Sequence, residues 1–156
     1  ATVQCDFALP ERFDLTYISS NGKKERPVML HRVIVGSMER FIGALIEHYA
    51  GAFPVWLSPV QVLVIPITDR AHDYADSIAR LLRDEDIRAD MDKRNEKLQY
   101  KIREGELNKV PYMLIVGDKE KESGTVSLRA RKEGNIGAVK IEEFLERLKD
   151  EITNKV

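Results

Sequence analysis

The stretch "VQVLVIPITDRAHDYADSIARLLRDEDIRADM", residues 60–91, decides the fold of most of this chain. Its first part, "VQVLVIPI" (60–67), is a short run rich in Val and Ile and reads as a buried strand. Over 70–84, Ala71, Tyr74, Ala75, Ile78, Leu81 and Leu82 share one face of a helix. "IRADM" (87–91) then alternates as a short strand. Two strands joined through a helix need a crossover, so the sheet is parallel or mixed and helices cover it.

Downstream the pattern continues. "NEKLQYKIREGEL" (95–107) is a weaker helix with Leu98 and Ile102 inward, and "VPYMLIVG" (110–117) is another buried strand. "TVSLRAR" (125–131) sets Val126, Leu128 and Ala130 against Thr125, Ser127, Arg129 and Arg131. "IEEFLERLKDEI" (141–152) closes as an amphipathic helix. Upstream, "GAFPVWLSPV" (51–60) carries Gly51, Pro54 and Pro59 and reads as a linker. Before it the grammar changes. "TVQCDFAL" (2–9), "DLTYIS" (14–19) and "VMLHRVIV" (28–35) read as three strands of an antiparallel sheet, with Asn21-Gly22 marking a hairpin turn. Gly36 ends the third strand and Ser37 caps a helix whose apolar face is Met38, Phe41, Ile42, Leu45, Ile46 and Tyr49. The expected class is α/β, with domains at 1–55 and 56–156.

Composition narrows the function. With 156 residues, 43% hydrophobic and 33% charged, the chain is an ordinary globular one and not a disordered segment. A net charge of −1 means that any nucleic-acid surface must be a local patch. One cysteine, Cys5, excludes an internal disulfide framework and fits a reducing, cytoplasmic setting. No apolar run is long enough for a membrane span, and "ATVQCDFALP" lacks the pattern of a signal peptide. The missing initial methionine and the immediate strand pattern suggest a chain that begins inside a larger protein.

Two cations stand in unusual places. Arg40 is the third residue of the helix capped by Ser37, at the end where the backbone dipole is positive. A solvated or ion-paired arginine explains it as well as an anionic ligand does. For the anion, backbone N–H groups and a guanidinium together suit a polyphosphate. His31 interrupts an apolar strand. A zinc site needs three or four ligands, and Cys5, His31, His48 and His72 share no ligand spacing, so any such site must be completed from outside this chain. Between residues 93 and 109, Lys93, Arg94, Lys97, Lys101, Arg103 and Lys109 outnumber Glu96, Glu104 and Glu106. That excess reads either as a solvated helix face or as a nucleic-acid surface, with Tyr100 and Tyr112 the aromatic candidates for stacking.

"RPVMLHRVIVGSMERFIGALIEHYAGAFPVWLSPVQV" resembles the third signature motif of class II aminoacyl-tRNA synthetases running into a class IIa anticodon-binding domain, with "GSMER" as its core. "DKRNEKLQYKIREGELNKVPYMLIVGDKEKESGTVSLRAR" resembles the anticodon-binding domain of the threonyl-tRNA synthetase family. The resemblance covers essentially the whole chain. It implies a fragment of the antiparallel catalytic sheet with its motif 3 helix, then a mixed sheet flanked by helices. It also implies an enzyme that activates threonine with ATP and Mg2+ to threonyl-adenylate and transfers it to tRNA(Thr), acting as a homodimer. Arg40 matches the ATP-binding arginine, His31 one ligand of a catalytic Zn2+, and Gln4 and Ser37 the edge of the substrate and ATP pocket. Asn95, Glu120 and Arg129 match residues that contact anticodon bases, with Arg103 a neighbour. In that family the metal holds threonine by its amino and hydroxyl groups, which rejects valine better than an apolar pocket can. Motifs one and two and the remaining zinc ligands are missing here, so the fragment alone is expected to be inactive. Alternatives are another class IIa synthetase, prolyl or histidyl, and a non-catalytic RNA-binding module of the same type.

Overall fold

The structure is a computed structural model that describes residues 1–155. The chain divides into two compact units, Ala1–Glu47 and the remainder from His48 onward.

The first unit contains β1 (Thr2–Asp6), α1 (Ala8–Arg12), β2 (Tyr17–Ile18), β3 (Lys24–Glu25), β4 (Met29–Val33) and most of α2 (Met38–His48). β1 pairs antiparallel with β4, and β2 with β3. The three segments expected to share one sheet therefore form two separate strand pairs. The first expected strand stops early because the Asp6 Oδ1 accepts the N–H groups of Ala8 and Leu9, both at 2.9 Å, and starts a helical turn. Pro10 sits in that first turn, where its missing N–H costs nothing. Gly36 leaves β4 at φ +71°, a conformation that glycine adopts freely, and turns the chain into α2.

No residue of α2 is buried. The expected apolar stripe exists, but Met38, Phe41, Ile42 and Ile46 face solvent, as do Val3, Leu30 and Ile34. Pro10 is the one buried residue among residues 1–47. So this unit has the pattern of a core-facing segment and no core within itself.

The second unit holds β5 (Val62–Pro66), α3 (His72–Asp84), β6 (Ala89–Met91), α4 (Leu98–Leu107), β7 (Tyr112–Val116), α5 (Asp118–Ser123), β8 (Thr125–Ala130), β9 (Gly134–Lys140) and α6 (Ile141–Asn154). The sheet order is β6-β5-β7-β8-β9. The first three strands are parallel and the last two antiparallel, the expected mixed sheet. Alternation sorts the side chains. Val62, Val64, Leu114, Val116, Val126 and Leu128 pack with Ile78, Leu82, Phe144 and Leu148 from α3 and α6. Ile65 and Met113 point the other way, onto Ile102 of α4.

The segment read as a linker is held down. Arg131 Nη1 donates to the Lys109 carbonyl at 2.6 Å, and its Nη2 to those of Ala52 and Phe53 at 3.3 and 2.8 Å. Arg88 donates to the carbonyls of Ser58 and Trp56, and Gln61 to that of Val55. Lys109 Nζ donates to the Ala50 carbonyl. Val55 and Ser58 are buried. Residues 50–58 are thus a strap on the second unit.

Candidate functional site

The chain leaves β5 toward β6 on one side and leaves β7 toward β8 on the other. The carboxyl ends of β5 and β7 therefore form a topological switch point, where α/β sheets commonly bind ligands. Glu120 lies there, in the first turn of α5. Its Oε2 accepts the Gly117 N–H at 2.9 Å, which fixes the carboxylate at the helix start. A Cβ on Gly117 would meet Ile67 Cδ1 at 2.9 Å and Glu120 Oε2 at 3.1 Å, so glycine lets the carboxylate close onto the helix start without displacing the Ile67 side chain.

β6 runs parallel to β5, so the loop after it opens at the same edge. Asn95 is exposed on that loop. The loop is tied by a charge knot. Arg94 Nε and Nη2 reach the Asp92 carboxylate at 3.0 and 2.6 Å, the Arg94 backbone N–H reaches it at 3.1 Å, and Arg94 Nη1 reaches Glu104 at 2.5 Å. The Asp92 side chain is only 4% exposed, and Arg94 holds its carboxyl below the usual range by direct hydrogen bonding. Buried Lys101 donates to the Asp92 carbonyl at 3.2 Å. The Glu104 carboxyl is likewise lowered, first by Arg94 and then by the Tyr100 hydroxyl. Arg94 also lies 5.9 Å from the Tyr100 ring centre.

These contacts correct the reading of the basic cluster. Lys101 is buried, Arg94 is internally paired, and Lys109 is turned to the Ala50 carbonyl. Lys93, Lys97 and Arg103 remain exposed. Tyr112 does not offer a stacking face. It is 4% exposed and packs edge-on against Phe144, and burial first, then its bond to Glu151, pushes its hydroxyl pKa up. Tyr100 is exposed, with its hydroxyl on Glu104 at 2.9 Å.

Arg129 stands at the other end of the sheet, in register with Met113 near the start of β7. Thr125, Ser127 and Arg129 share the side of β8 turned toward α4 and are half-buried. Arg129 Nε and Nη2 both donate to Glu106 Oε1, at 3.1 and 2.7 Å. Glu106 lies near the end of α4, one turn beyond Arg103. The ten residues of α4 span about 15 Å, so Asn95 and Glu120 share one edge while Arg129, Glu106 and Arg103 gather away from it. Asp92 escaped the sequence reading, and Arg94, Glu104 and Glu106 entered it only as members of the charge cluster, without their pairings. The alternation of signs over residues 92–106 was the available signal, but it did not say which charges meet.

In the first unit, His31 and Gln4 are direct cross-strand partners on one face of the β1–β4 pair. His31 Nε2 lies 3.0 Å from Asp6 Oδ2. The Asp6 carboxyl is held below its usual value by the Leu9 backbone N–H first and by His31 second. Cys5 pairs with Leu30 and so belongs to the opposite face. Among the described residues no three His, Cys, Asp or Glu side chains gather as a metal cluster. Ser37 Oγ accepts the Arg40 backbone N–H at 3.4 Å, as expected of a cap, and among the described residues the Arg40 guanidinium has no ion-pair partner. No helix of the described residues is long and apolar enough to cross a membrane.

A mixed five-stranded sheet flanked by helices, with Glu120 capping the helix at its switch point, defines an α/β domain. Residues 61–151 match the anticodon binding domain family, and the chain belongs to that family. Residues 1–49 match the tRNA synthetase class II core domain (G, H, P, S and T). Over 154 residues the chain is 59% identical to a threonine–tRNA ligase of Clostridium botulinum (strain Hall) and 55% identical to one of Desulforamulus reducens; each alignment covers 99% of this chain and 24% of the relative. The chain thus spans about a quarter of the length of the curated relatives it matches. A crystal structure titled as the RNA binding domain of threonyl-tRNA synthetase from Cryptosporidium parvum Iowa II matches with a TM-score of 0.72 at 33% identity, over 95% of this chain and 38% of that one. A prolyl-tRNA synthetase of Cryptosporidium parvum, complexed with halofuginone and AMPPNP, matches at TM-score 0.63 and 21% identity, over 94% of this chain and 32% of that one, a likeness of fold.

Proposed function

We propose that this chain is the C-terminal part of a cytoplasmic threonine–tRNA ligase. Residues 1–55 are the end of its catalytic domain and 56–156 its anticodon reader. The observation that carries the reading is 59% identity to a threonine–tRNA ligase across 154 residues. The open side of β8, the exposed Asn95 and the capped Glu120 are consistent with it. Their separation suits a loop whose bases are splayed apart, as single-stranded RNA allows. Asn95 offers paired donor and acceptor groups, Glu120 accepts from base N–H groups, and Arg129 grips acceptors. Arg103, exposed one turn from Glu106 on α4, adds a cation on the Arg129 side.

In the whole enzyme, Arg40 would lie against ATP and its Mg2+-bound phosphates, where the anion offsets the unfavourable helix end. Gln4 and Ser37 would border the same pocket, and a homodimer and tRNA(Thr) complete the proposal. The exposed apolar face of α2 supports burial against the parts of the catalytic domain this chain lacks. For Zn2+ the fit is partial. His31 supplies one imidazole, and Asp6 holds Nε2 in the way a carboxylate orients a ligating histidine. The other ligands must come from elsewhere in the enzyme. Bound zinc would supply a Lewis acid for the amino and hydroxyl groups of threonine.

The test is binding of the chain to an RNA stem-loop carrying a threonine anticodon, beside one with altered anticodon bases, at fixed salt. Phosphate contacts alone bind both alike. A preference of about 1 kcal/mol or more, lost in Asn95→Ala or Arg129→Ala, is the expected result. Equal binding refutes anticodon reading by this chain. Threonine-dependent ATP–pyrophosphate exchange by the 156-residue chain would refute its dependence on missing catalytic elements.

A further inference from the structure

We infer that Glu106 is a positioning residue for Arg129, holding the Nε/Nη2 edge of its guanidinium so that the adjacent Nη1/Nη2 edge is presented to an anticodon base. The inference rests on Arg129 reading the anticodon, as proposed above. Its basis is which hydrogen atoms the pair uses. Glu106 Oε1 takes Nε and Nη2 of Arg129 at 3.1 and 2.7 Å, the inner edge of the fork. The Nη1 atom makes no hydrogen bond or ion pair among the described residues. A guanidinium is planar with five donors in fixed directions, so fixing one edge fixes the direction of the other. The outer edge then offers two parallel N–H groups, the geometry that grips two acceptors on one base edge.

Surroundings support a presented arginine. Its side chain is 33% exposed and that of Glu106 49%, so neither is sealed in the core and the pair remains reachable. A cleft of about 250 Å³ opens beside it, lined by Glu106, Val110, Met113, Arg129 and Gly134. That is below the ~300–1,000 Å³ of drug-sized ligand sites and suits a single flat ring system. Glu106 comes from α4, whose Ile102 packs on Ile65 and Met113, so the carboxylate is carried by a packed helix and not by a loop. The Arg94 guanidinium makes the contrast. Asp92 and Glu104 occupy both of its edges, so Arg94 orders its loop and offers no free edge.

The opposite role for Glu106 would be competition, in which it blocks Arg129 and must be displaced. The two roles differ in sign. A positioning carboxylate strengthens binding when present; a competitor weakens it. Measure affinity of the 156-residue chain for the threonine-anticodon stem-loop and for its base-altered partner, with the wild type, Glu106→Gln, Glu106→Ala, Arg129→Ala and the Glu106→Ala/Arg129→Ala double variant. The exposure of the pair predicts a loss of ~2–5-fold on removing Glu106, confined to the threonine stem-loop, with no further loss in the double variant beyond Arg129→Ala. Unchanged or tighter binding by both Glu106 variants, while Arg129→Ala still weakens it, overturns the positioning role alone. Equal weakening on both stem-loops assigns the free edge to phosphate and overturns base presentation. No effect of Arg129→Ala refutes the underlying reading of Arg129, and this inference with it. Unchanged thermal unfolding of the Glu106 variants separates these outcomes from misfolding.

Discussion

Asp92→Asn tests the link between the charge knot and the Asn95 loop. The substitution keeps the shape of the side chain and removes its charge. Asp92 is 4% exposed at the side chain and accepts three bonds from Arg94, at 3.1, 3.0 and 2.6 Å. An asparagine retains one acceptor oxygen and turns an NH2 group toward an Arg94 donor. Buried Lys101 also loses the adjacent carboxylate. Breaking such a buried pair from one side costs several kcal/mol. Arg94 softens the loss, because it is half-exposed and keeps Glu104 at 2.5 Å. The net expectation is about 2–4 kcal/mol. For a unit of this size that lowers Tm by roughly 8–15 °C. Urea unfolding measures the stability, and hydrogen exchange over residues 92–97 measures the loop. A loss below about 0.5 kcal/mol, with unchanged exchange in that loop, refutes the reasoning, since a change this small is typical of an unremarkable surface site.

The same knot has a pH signature. The folded Asp92 carboxyl is lowered, chiefly by Arg94, so the unfolded chain binds the proton more readily and the contribution is complete above the ordinary aspartate value. It should fade as pH falls below about 4, and urea midpoints of wild type and Asp92→Asn should converge there. Arg131→Ala releases the carbonyls of Lys109, Ala52 and Phe53; a loss of about 2–3 kcal/mol and faster exchange over residues 50–57 are expected. Arg131→Lys should not restore either quantity, because an ammonium cannot reproduce the fork. Gly105→Ala sets helix propensity, worth about 1 kcal/mol, against a Cβ placed 2.5 Å from Met113 Sδ in a residue 1% exposed. Overpacking should win by about 1 kcal/mol, and Met113→Ala in the same chain should cost less than the two separate losses combined.

The strand–helix–strand of residues 60–91 was legible because burial on both faces leaves continuous Val and Ile runs, and because α3 repeats its apolar face with few breaks. The same holds for β7 and α6. β9 was not legible. Gly134 and Gly137 adopt φ +75° and +100°, their intrinsic strand preference is low, and the strand exists through its ladder to β8, with an irregularity at Leu128/Arg129. α1 and α5 are five and six residues long, too short to show a period, and are set by local backbone N–H groups donating to the Asp6 and Glu120 carboxylates. Lys101 had a signal that charge obscured. It lies three residues after Leu98 and beside Ile102, on the inward stripe of α4.

By itself the sequence determined the α/β class, the capped helix at Ser37 and the apolar faces, which follow from local rules of period, turn chemistry and side-chain inventory; the candidate site residues came from the family resemblance. Tertiary structure alone decided which charges meet. Arg94 and Arg129 look alike in one dimension. In the fold one has both guanidinium edges occupied and the other keeps one edge open. Tyr112 and Tyr100 likewise part company, one against Phe144 in the core and one at the surface. The reason is physical. Hydrogen bonding and desolvation act over a few ångströms, and the residues that become neighbours at that range, such as Arg129 and Glu106, are 23 positions apart in the chain.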